Sequence, residues 1–251
     1  MRIAVIPDTQ CKPGVDYTYL TAIGKYIVRK QPDLIIHIGD HWDMPSLSSY
    51  DIGKKSFEGR RYAEDVRAGN DGFYALNEPI YAETNRLIKN KKKVWNPKKY
   101  FILGNHEQRI ERAVNNDAKL EGTMGYHDLD FLDYEVVPFL QPKIIEGIAF
   151  SHYFTTGLAG RPASTAQAQL NKTHMSCIAG HQQGLQIATG KRADGTLITS
   201  VIAGSCYAHD EDYLGQQGNN HWRGLLMLNS VKDGSFDLAT IPLKYIMEQY
   251  A

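Results

Sequence analysis

The sequence predicts an α/β fold built on a parallel sheet, and three stretches carry that expectation. "RIAVIPD" and "PDLIIHIGD" are continuous apolar runs of strand length. Between them, "YTYLTAIGKYIVRK" places Leu20, Ile23, Ile27 and Val28 at helical spacing. A strand–helix–strand order whose strands are apolar throughout is a βαβ unit, with the sheet covered on both faces.

The remaining elements follow in order. Residues 44–98 interrupt the pattern; within them Phe73, Leu76, Ile80, Thr84, Leu87 and Ile88 mark one face of a long amphipathic helix. A basic run, "KNKKKVWNPKKY", comes next and ends in a third strand, "YFILG". Residues 107–120 read as a charged helix. In the second half, "KIIEGIAFSHY" reads as two strands about a Glu146-Gly147 turn. "PASTAQAQLNKTH" suits a short helix that opens on Pro162, and "SCIAGH" is again a strand. Asp194-Gly195 and Asp233-Gly234 mark the turns of two further hairpins. With no repeat and no linker, residues 1–251 are expected to form a single domain with a helical insertion at about 44–98.

Composition excludes several classes. A chain of 251 residues, 42% hydrophobic and 22% charged, is ordinary for a globular domain with a large core. Formal net charge is zero, so no global field argues for nucleic acid or membrane. Cys11, Cys177 and Cys206 are too few and too scattered for a disulfide framework, which points to a reducing compartment. No apolar stretch approaches the ~20 residues of a membrane span. The amino-terminal run reaches Asp8 too early for a signal peptide. A cytoplasmic location is expected. Nothing in the sequence speaks to oligomeric state.

The unusual residues sit at strand ends. Asp8 and Gln10 follow the first strand, and Gly39-Asp40 and Asp43 the second. Gly104-Asn105-His106-Glu107 follow the third, His152 ends another, and Gly180-His181-Gln182-Gln183 close the next. The carboxyl ends of parallel strands share one edge, so these groups can converge there.

These motifs, "DTQ", "GDHWD", "GNHE", "SHY" and "GHQQ", span residues 8–183 and resemble the pattern of the calcineurin-like metallophosphoesterases. That pattern is DxH, GDxxD, GNH[DE], a strand-end His and GHxH. The flavour also resembles phage or prophage members. The resemblance implies a two-sheet β-sandwich flanked by helices and two divalent metal ions. Asp40 would bridge the ions, Asp8 would bind the first, and Asn105, His152 and His181 would complete the second. A metal-bridging hydroxide would attack phosphorus in line. His106 would serve as general acid or charge stabiliser, with Asp43 fixing its ring. His152 as a core histidine and Asp43 as a simple cap are the bland alternatives.

The chain departs from the pattern at the first ion, where Gln10 and Gln183 replace both histidines. Paired replacement suggests a site altered as a unit, all-oxygen and suited to Mg²⁺, Mn²⁺ or Ca²⁺, beside a second site suited to Mn²⁺, Fe or Zn²⁺. A single-ion enzyme with the first site empty is the alternative. Arg109 is a candidate for contacting substrate phosphate or for a helix-surface ion pair. His209 and His221 fall in a Gly-rich loop that can line the cleft. His37 is expected in the core, and His41 on the face opposite Asp40.

The resemblance therefore implies a metal-dependent phosphoric ester hydrolase: a nuclease or nucleotide phosphodiesterase, or alternatively a phosphomonoesterase. A non-catalytic metal-binding module of the same fold is the third reading. The basic run tilts toward nucleic acid and the zero net charge tilts back.

Overall fold

Strand β1 (Ile3–Ile6) is apolar on both faces, and both are covered. The structure is a computed structural model that describes residues 1–211 and 214–251. In it β1 lies inside a six-stranded sheet ordered β13–β12–β1–β2–β3–β4. Strands β2 (Leu34–His37), β3 (Lys98–Ile102) and β4 (Glu135–Val137) run parallel to β1. The hairpin of β12 (Gly224–Lys232) and β13 (Ser235–Pro242) closes the other side, antiparallel to β1.

A second sheet is ordered β10–β11–β9–β6–β5. Strands β5 (Lys143–Ile145) and β6 (Ile148–Phe150) form the hairpin expected about Glu146-Gly147, both at positive φ. Strands β9 (Cys177–Ala179), β10 (Gln186–Lys191) and β11 (Leu197–Ile202) complete it, with β6, β9 and β11 mutually parallel. A short ribbon of β7 (Thr155–Thr156) and β8 (Arg161–Pro162) stands apart.

Alternation along β1 assigns the layers. Ile3 and Val5 face the second sheet and pack with Ile36, Ile102, Phe150, Ile178 and Val201. Ala4 and Ile6 face outward, onto helices α1 (Thr18–Lys30), α2 (Tyr62–Lys89) and the carboxyl-terminal α6 (Leu243–Tyr250), which follows the one-turn α5 (Gly215–Asn219) of the late loop. Helix α3 (Gln108–Asn116) follows β3. Helix α4 (Ala166–Thr173) covers the outer face of the second sheet, N-capped by Thr165, whose hydroxyl accepts from the Ala168 amide. This is the two-sheet sandwich flanked by helices that the sequence implies.

Helix α2 lies between β2 and β3 in the chain and buries Phe73, Leu76, Ile80 and Leu87, while Ile88 falls off that face and is exposed. Pro79 stands inside this helix and frees the Ala75 carbonyl, one turn earlier, which accepts from the Thr21 hydroxyl of α1 at 3.4 Å. Lys89 ends this helix and lysines 91, 92 and 93 follow it, just before β3 begins. They therefore sit at the amino edge of the parallel strands, opposite the edge where Asp8, Asp40 and Asn105 emerge. Lys99 is buried and bound to Asp133 at 2.9 Å. The basic run thus gives nucleic acid no surface beside those residues.

Candidate metal centre

Both sheets deliver loops to one edge: those after β1, β2 and β3 from the first, and those after β6 and β9 from the second. The first two loops are zipped together, with the Gln10 amide donating to Asp40 O at 3.0 Å and Cys11 N to His41 O at 2.6 Å. Gly180 N donates to His152 O at 2.9 Å, joining the second pair. Gln10, Asp40 and His181 all take left-handed backbone conformations, with φ of 43°, 51° and 66°. Such non-glycine conformations cost about 1–3 kcal/mol each and persist where surroundings over-determine them.

Two glycines show why the loops carry that residue. A Cβ at Gly104 would lie 2.2 Å from Asp40 Oδ1, and one at Gly180 would lie 2.5 Å from Asp8 Oδ1. Any side chain there would displace a carboxylate.

The converging atoms fit a cation. Ligand atoms of Asp40, His152 and His181 all lie within 4.8 Å of one another. Asn105 Oδ1 stands 2.9 Å from His152 Nε2 and 2.6 Å from His181 Nδ1. His152 Nδ1–H donates to Ile38 O at 2.8 Å, which fixes the tautomer and turns Nε2 toward Asp40, 3.3 Å away. Asp8 takes the His181 amide on Oδ1, while its Oδ2 is buried with no partner, as is Gln10 Oε1. Two buried oxygens without donors, beside a second carboxylate, are the fit expected of ligands to a divalent ion.

Electrostatics agree. Burial, then the neighbouring charge of Asp40, pushes the Asp8 carboxyl up to about 7. Burial raises Asp40 too, but His106, His152 and His181 outweigh it and leave its carboxyl below the usual range. Burial lowers the His152 imidazole, yet Asp40 and Asp8 raise it to about 9. His181 falls to about 4 through burial and the charge of His152.

His106 stands beside this cluster. Its Nδ1 lies 2.7 Å from Asp43 Oδ1 and its Nε2 lies 3.6 Å from Asp40 Oδ2. Burial lowers its pKa, but Asp40 and Asp43 raise it further, against Arg109. Arg109 donates from Nη2 to His106 Nε2 at 3.0 Å and from Nη1 to the Asp43 carbonyl at 2.6 Å. Its fork is turned onto the imidazole and onto the carbonyls of the loop after β2.

The other expected residues are placed differently. Gln183 Oε1 accepts from the Tyr207 hydroxyl at 3.0 Å, so its oxygen is engaged where that of Gln10 is not. His221 uses both ring nitrogens inside its own loop region, on Gly218 O and Ser205 Oγ, each at 2.8 Å. His209 stacks on Tyr207 and bonds Glu211 at 2.8 Å, with Nδ1 buried and unpartnered. His37 and His41 are fully buried and meet at Thr9 Oγ1, 3.0 and 2.6 Å away. His41 Nε2–H donates to Gly69 O, so the Thr9 hydroxyl donates to Nδ1.

Two features have no role in the sequence reading. Glu107, fully buried, accepts four backbone N–H groups: His41 and Trp42 on Oε1, Asp40 and Gly104 on Oε2, at 2.8–3.0 Å. It binds the loop after β2 to the loop after β3. Lys12 holds both oxygens of Glu211 at 2.6 Å and lies 3.8 Å from Asp43 Oδ2, drawing the late loop onto the centre. The fourth letter of "GNHE" could have flagged Glu107; nothing local flags Lys12 or Glu211.

A two-sheet sandwich that brings carboxylates, an amide and imidazoles to one edge has the makings of a divalent-metal hydrolase. The chain belongs to the calcineurin-like phosphoesterase family, whose profile matches residues 1–185. That family acts on phosphate esters and depends on divalent metal. The chain is 29% identical over 196 residues to the Gene 54 protein of Mycobacterium phage L5, covering 74% of this chain and 71% of that one. It is 36% identical over 80 residues to the Gene 54 protein of Mycobacterium phage D29, 32% and 31% of the two chains. Among solved structures it is similar to Yfce, a phosphoesterase from E. coli, at 12% identity and a TM-score of 0.43, over 97% of this chain and 100% of that one. No described helix is long and apolar enough to cross a membrane.

Proposed function

We propose that this protein is a divalent-metal-dependent phosphodiesterase whose substrate is a nucleotide or nucleic acid. The convergence of Asp8, Asp40, Asn105, His152 and His181 beside the His106–Asp43 pair supports this reading. Asp40, Asn105, His152 and His181 would hold one ion, and Asp8, Asp40 and Gln10 a second, weaker one; Mn²⁺ suits the mixed oxygen and imidazole set. Gln183 would assist only if it leaves Tyr207. Bound divalent ions supply charge that polarises a phosphoryl group and lowers the pKa of water.

The chain's own residues do the rest. Asp43 Oδ1 lies 2.7 Å from His106 Nδ1 and favours the charged imidazole, so Nε2 would handle a proton beside the leaving oxygen once the Arg109 guanidinium moves off it. An alkoxide leaving group, as in a nucleotide ester, needs that proton. Arg109 turns its fork onto loop carbonyls and His106, and Lys12 is held by both oxygens of Glu211. Neither offers a free cation at the centre for the second negative charge of a monoester, which favours the singly charged diester. Turnover of bis(p-nitrophenyl) phosphate against p-nitrophenyl phosphate, each with Mn²⁺, tests this. A diester rate at least equal to the monoester rate is expected; a strong monoester preference refutes the choice of diester.

A further inference from the structure

Loop 46–57 and helix α3 line an open pocket of about 200 Å³, with Arg109 in its wall. Arg109, Arg112 and Asn116 line it from α3, at the i, i+3, i+7 spacing of one helix face. Ser46, Ser48 and Ser49 line it from the loop. Leu47, Ile52, Phe57 and Ala113 complete a lining in which two cations, hydroxyls and an amide stand on an apolar floor with no carboxylate. Arg112 makes no ion pair or hydrogen bond among the described residues, whereas Arg109 is anchored by the Asp43 carbonyl and His106. The space equals that of roughly six waters and falls below the ~300 Å³ of a drug-sized ligand pocket. A group of phosphate size fits it; a whole nucleotide does not.

Its position gives it a purpose. The Arg109 guanidinium touches His106 Nε2 at 3.0 Å, and that atom is 3.6 Å from Asp40. Arg109 thus joins the two places, lining the pocket on one hand and bonded to His106 at the metal centre on the other. We infer that the pocket between α3 and loop 46–57 is a subsite for a second phosphate, the one beyond the phosphate that is cleaved, with Arg112 as its principal cation. The substrate class is then a phosphate ester carrying a further phosphate. An oligonucleotide and a nucleoside polyphosphate share that chemistry. The inference rests on the reading of the centre as a phosphodiesterase site.

The test reads binding separately from hydrolysis. Equilibrium dialysis of the metal-free protein in EDTA at low salt compares thymidylyl-thymidine with its terminally phosphorylated form, with thymidine triphosphate as a third probe. The phosphorylated dinucleotide is expected to bind about tenfold more tightly than the unphosphorylated one, the effect of one charge-assisted contact. Arg112→Ala should erase most of that preference and Arg112→Lys should restore part of it. A dependence on Arg112 shown by the dinucleotide makes nucleic acid the source of the phosphate; one confined to the triphosphate makes it a nucleotide. Equal binding of the two dinucleotides by the wild type, or an unchanged preference in Arg112→Ala, overturns the subsite. If the preference stands while the Mn²⁺-loaded protein cleaves no diester, the phosphodiesterase reading fails and the anion pocket survives.

Discussion

Replacing Glu107 by glutamine removes half of the clamp that joins two loops of the centre. Each carboxylate oxygen accepts two backbone N–H groups, those of His41 and Trp42 on one side and of Asp40 and Gly104 on the other. An amide keeps one oxygen and presents an NH₂ to the other two donors. Those two N–H groups, buried with no water to turn to, cost roughly 1–3 kcal/mol each when orphaned, so about 2–6 kcal/mol together. Whole domains are stable by only about 5–15 kcal/mol. With a urea slope of about 3 kcal/mol per molar, the midpoint should fall by roughly 0.7–2 M at unchanged slope. Urea unfolding followed by tryptophan fluorescence measures this, with EDTA present so that metal does not mask the loss. The Asp40 loop loosens at the same time, so metal retained after dialysis should drop as well. A midpoint shift under about 0.3 M, less than one orphaned donor costs, would show that the loops are held by other contacts, the Thr9–His41 network first among them.

The remaining predictions concern the centre. His106→Ala should lower kcat by ~10²–10⁴-fold with metal content unchanged; loss of metal in mass spectrometry would make His106 a ligand and the role wrong. Metal uptake should release protons, because bound ligands must be deprotonated. In the metal-free protein Asp8 titrates near about 7 and His152 near about 9, while His181 is already neutral above about 4. Apparent Mn²⁺ affinity should therefore rise with pH up to about 9, more steeply below about 7, where two protons are displaced instead of one. Calorimetry in buffers of different ionisation enthalpy counts those protons, and a pH-independent affinity contradicts the ligand set. Gln10→Ala should lose more of the weakly held ion on dialysis than Gln183→Ala; equal losses would restore the two glutamines as a pair.

The fold was legible because its strands are apolar on both faces and end in turn residues. Strands β1, β2, β3, β6 and β9 and the late hairpins all lie where their runs predict. Strand β4 and helix α6 were not read. Glu135-Val136-Val137 is too short to show a period, and α6 presents only Leu243 and Ile246 as buried residues. The strand-end residues were legible as a set because parallel strands put their carboxyl ends on one edge. What stayed hidden depends on contacts across long sequence separation. Lys12 meets Glu211 through tertiary packing alone, and Arg109 turns toward the Asp43 carbonyl because α3 packs against the loop after β2. The place of the basic run at 89–99 was hidden for a related reason. Charge along a sequence does not reveal which end of a strand it precedes, and here it precedes the amino end.

The two glutamines separate for the same physical cause. In sequence they form a pair, since each replaces an imidazole of one pattern. In three dimensions their amides belong to different environments. Gln10 is fixed by its own backbone, at φ 43° and bonded through N to the Asp40 carbonyl, so its side chain starts from a position tied to Asp40. Its amide oxygen is buried and unpartnered, which is costly unless a cation or water meets it. Gln183 follows a strand of the second sheet and gives its oxygen to Tyr207, whose ring also stacks on His209 of the late loop. A hydroxyl donor already satisfies that oxygen, so a cation gains less by replacing it. On the reading proposed above, one amide and two carboxylates would face the weaker ion, a hard and sparse donor set that would favour Mg²⁺ or Mn²⁺ over Zn²⁺.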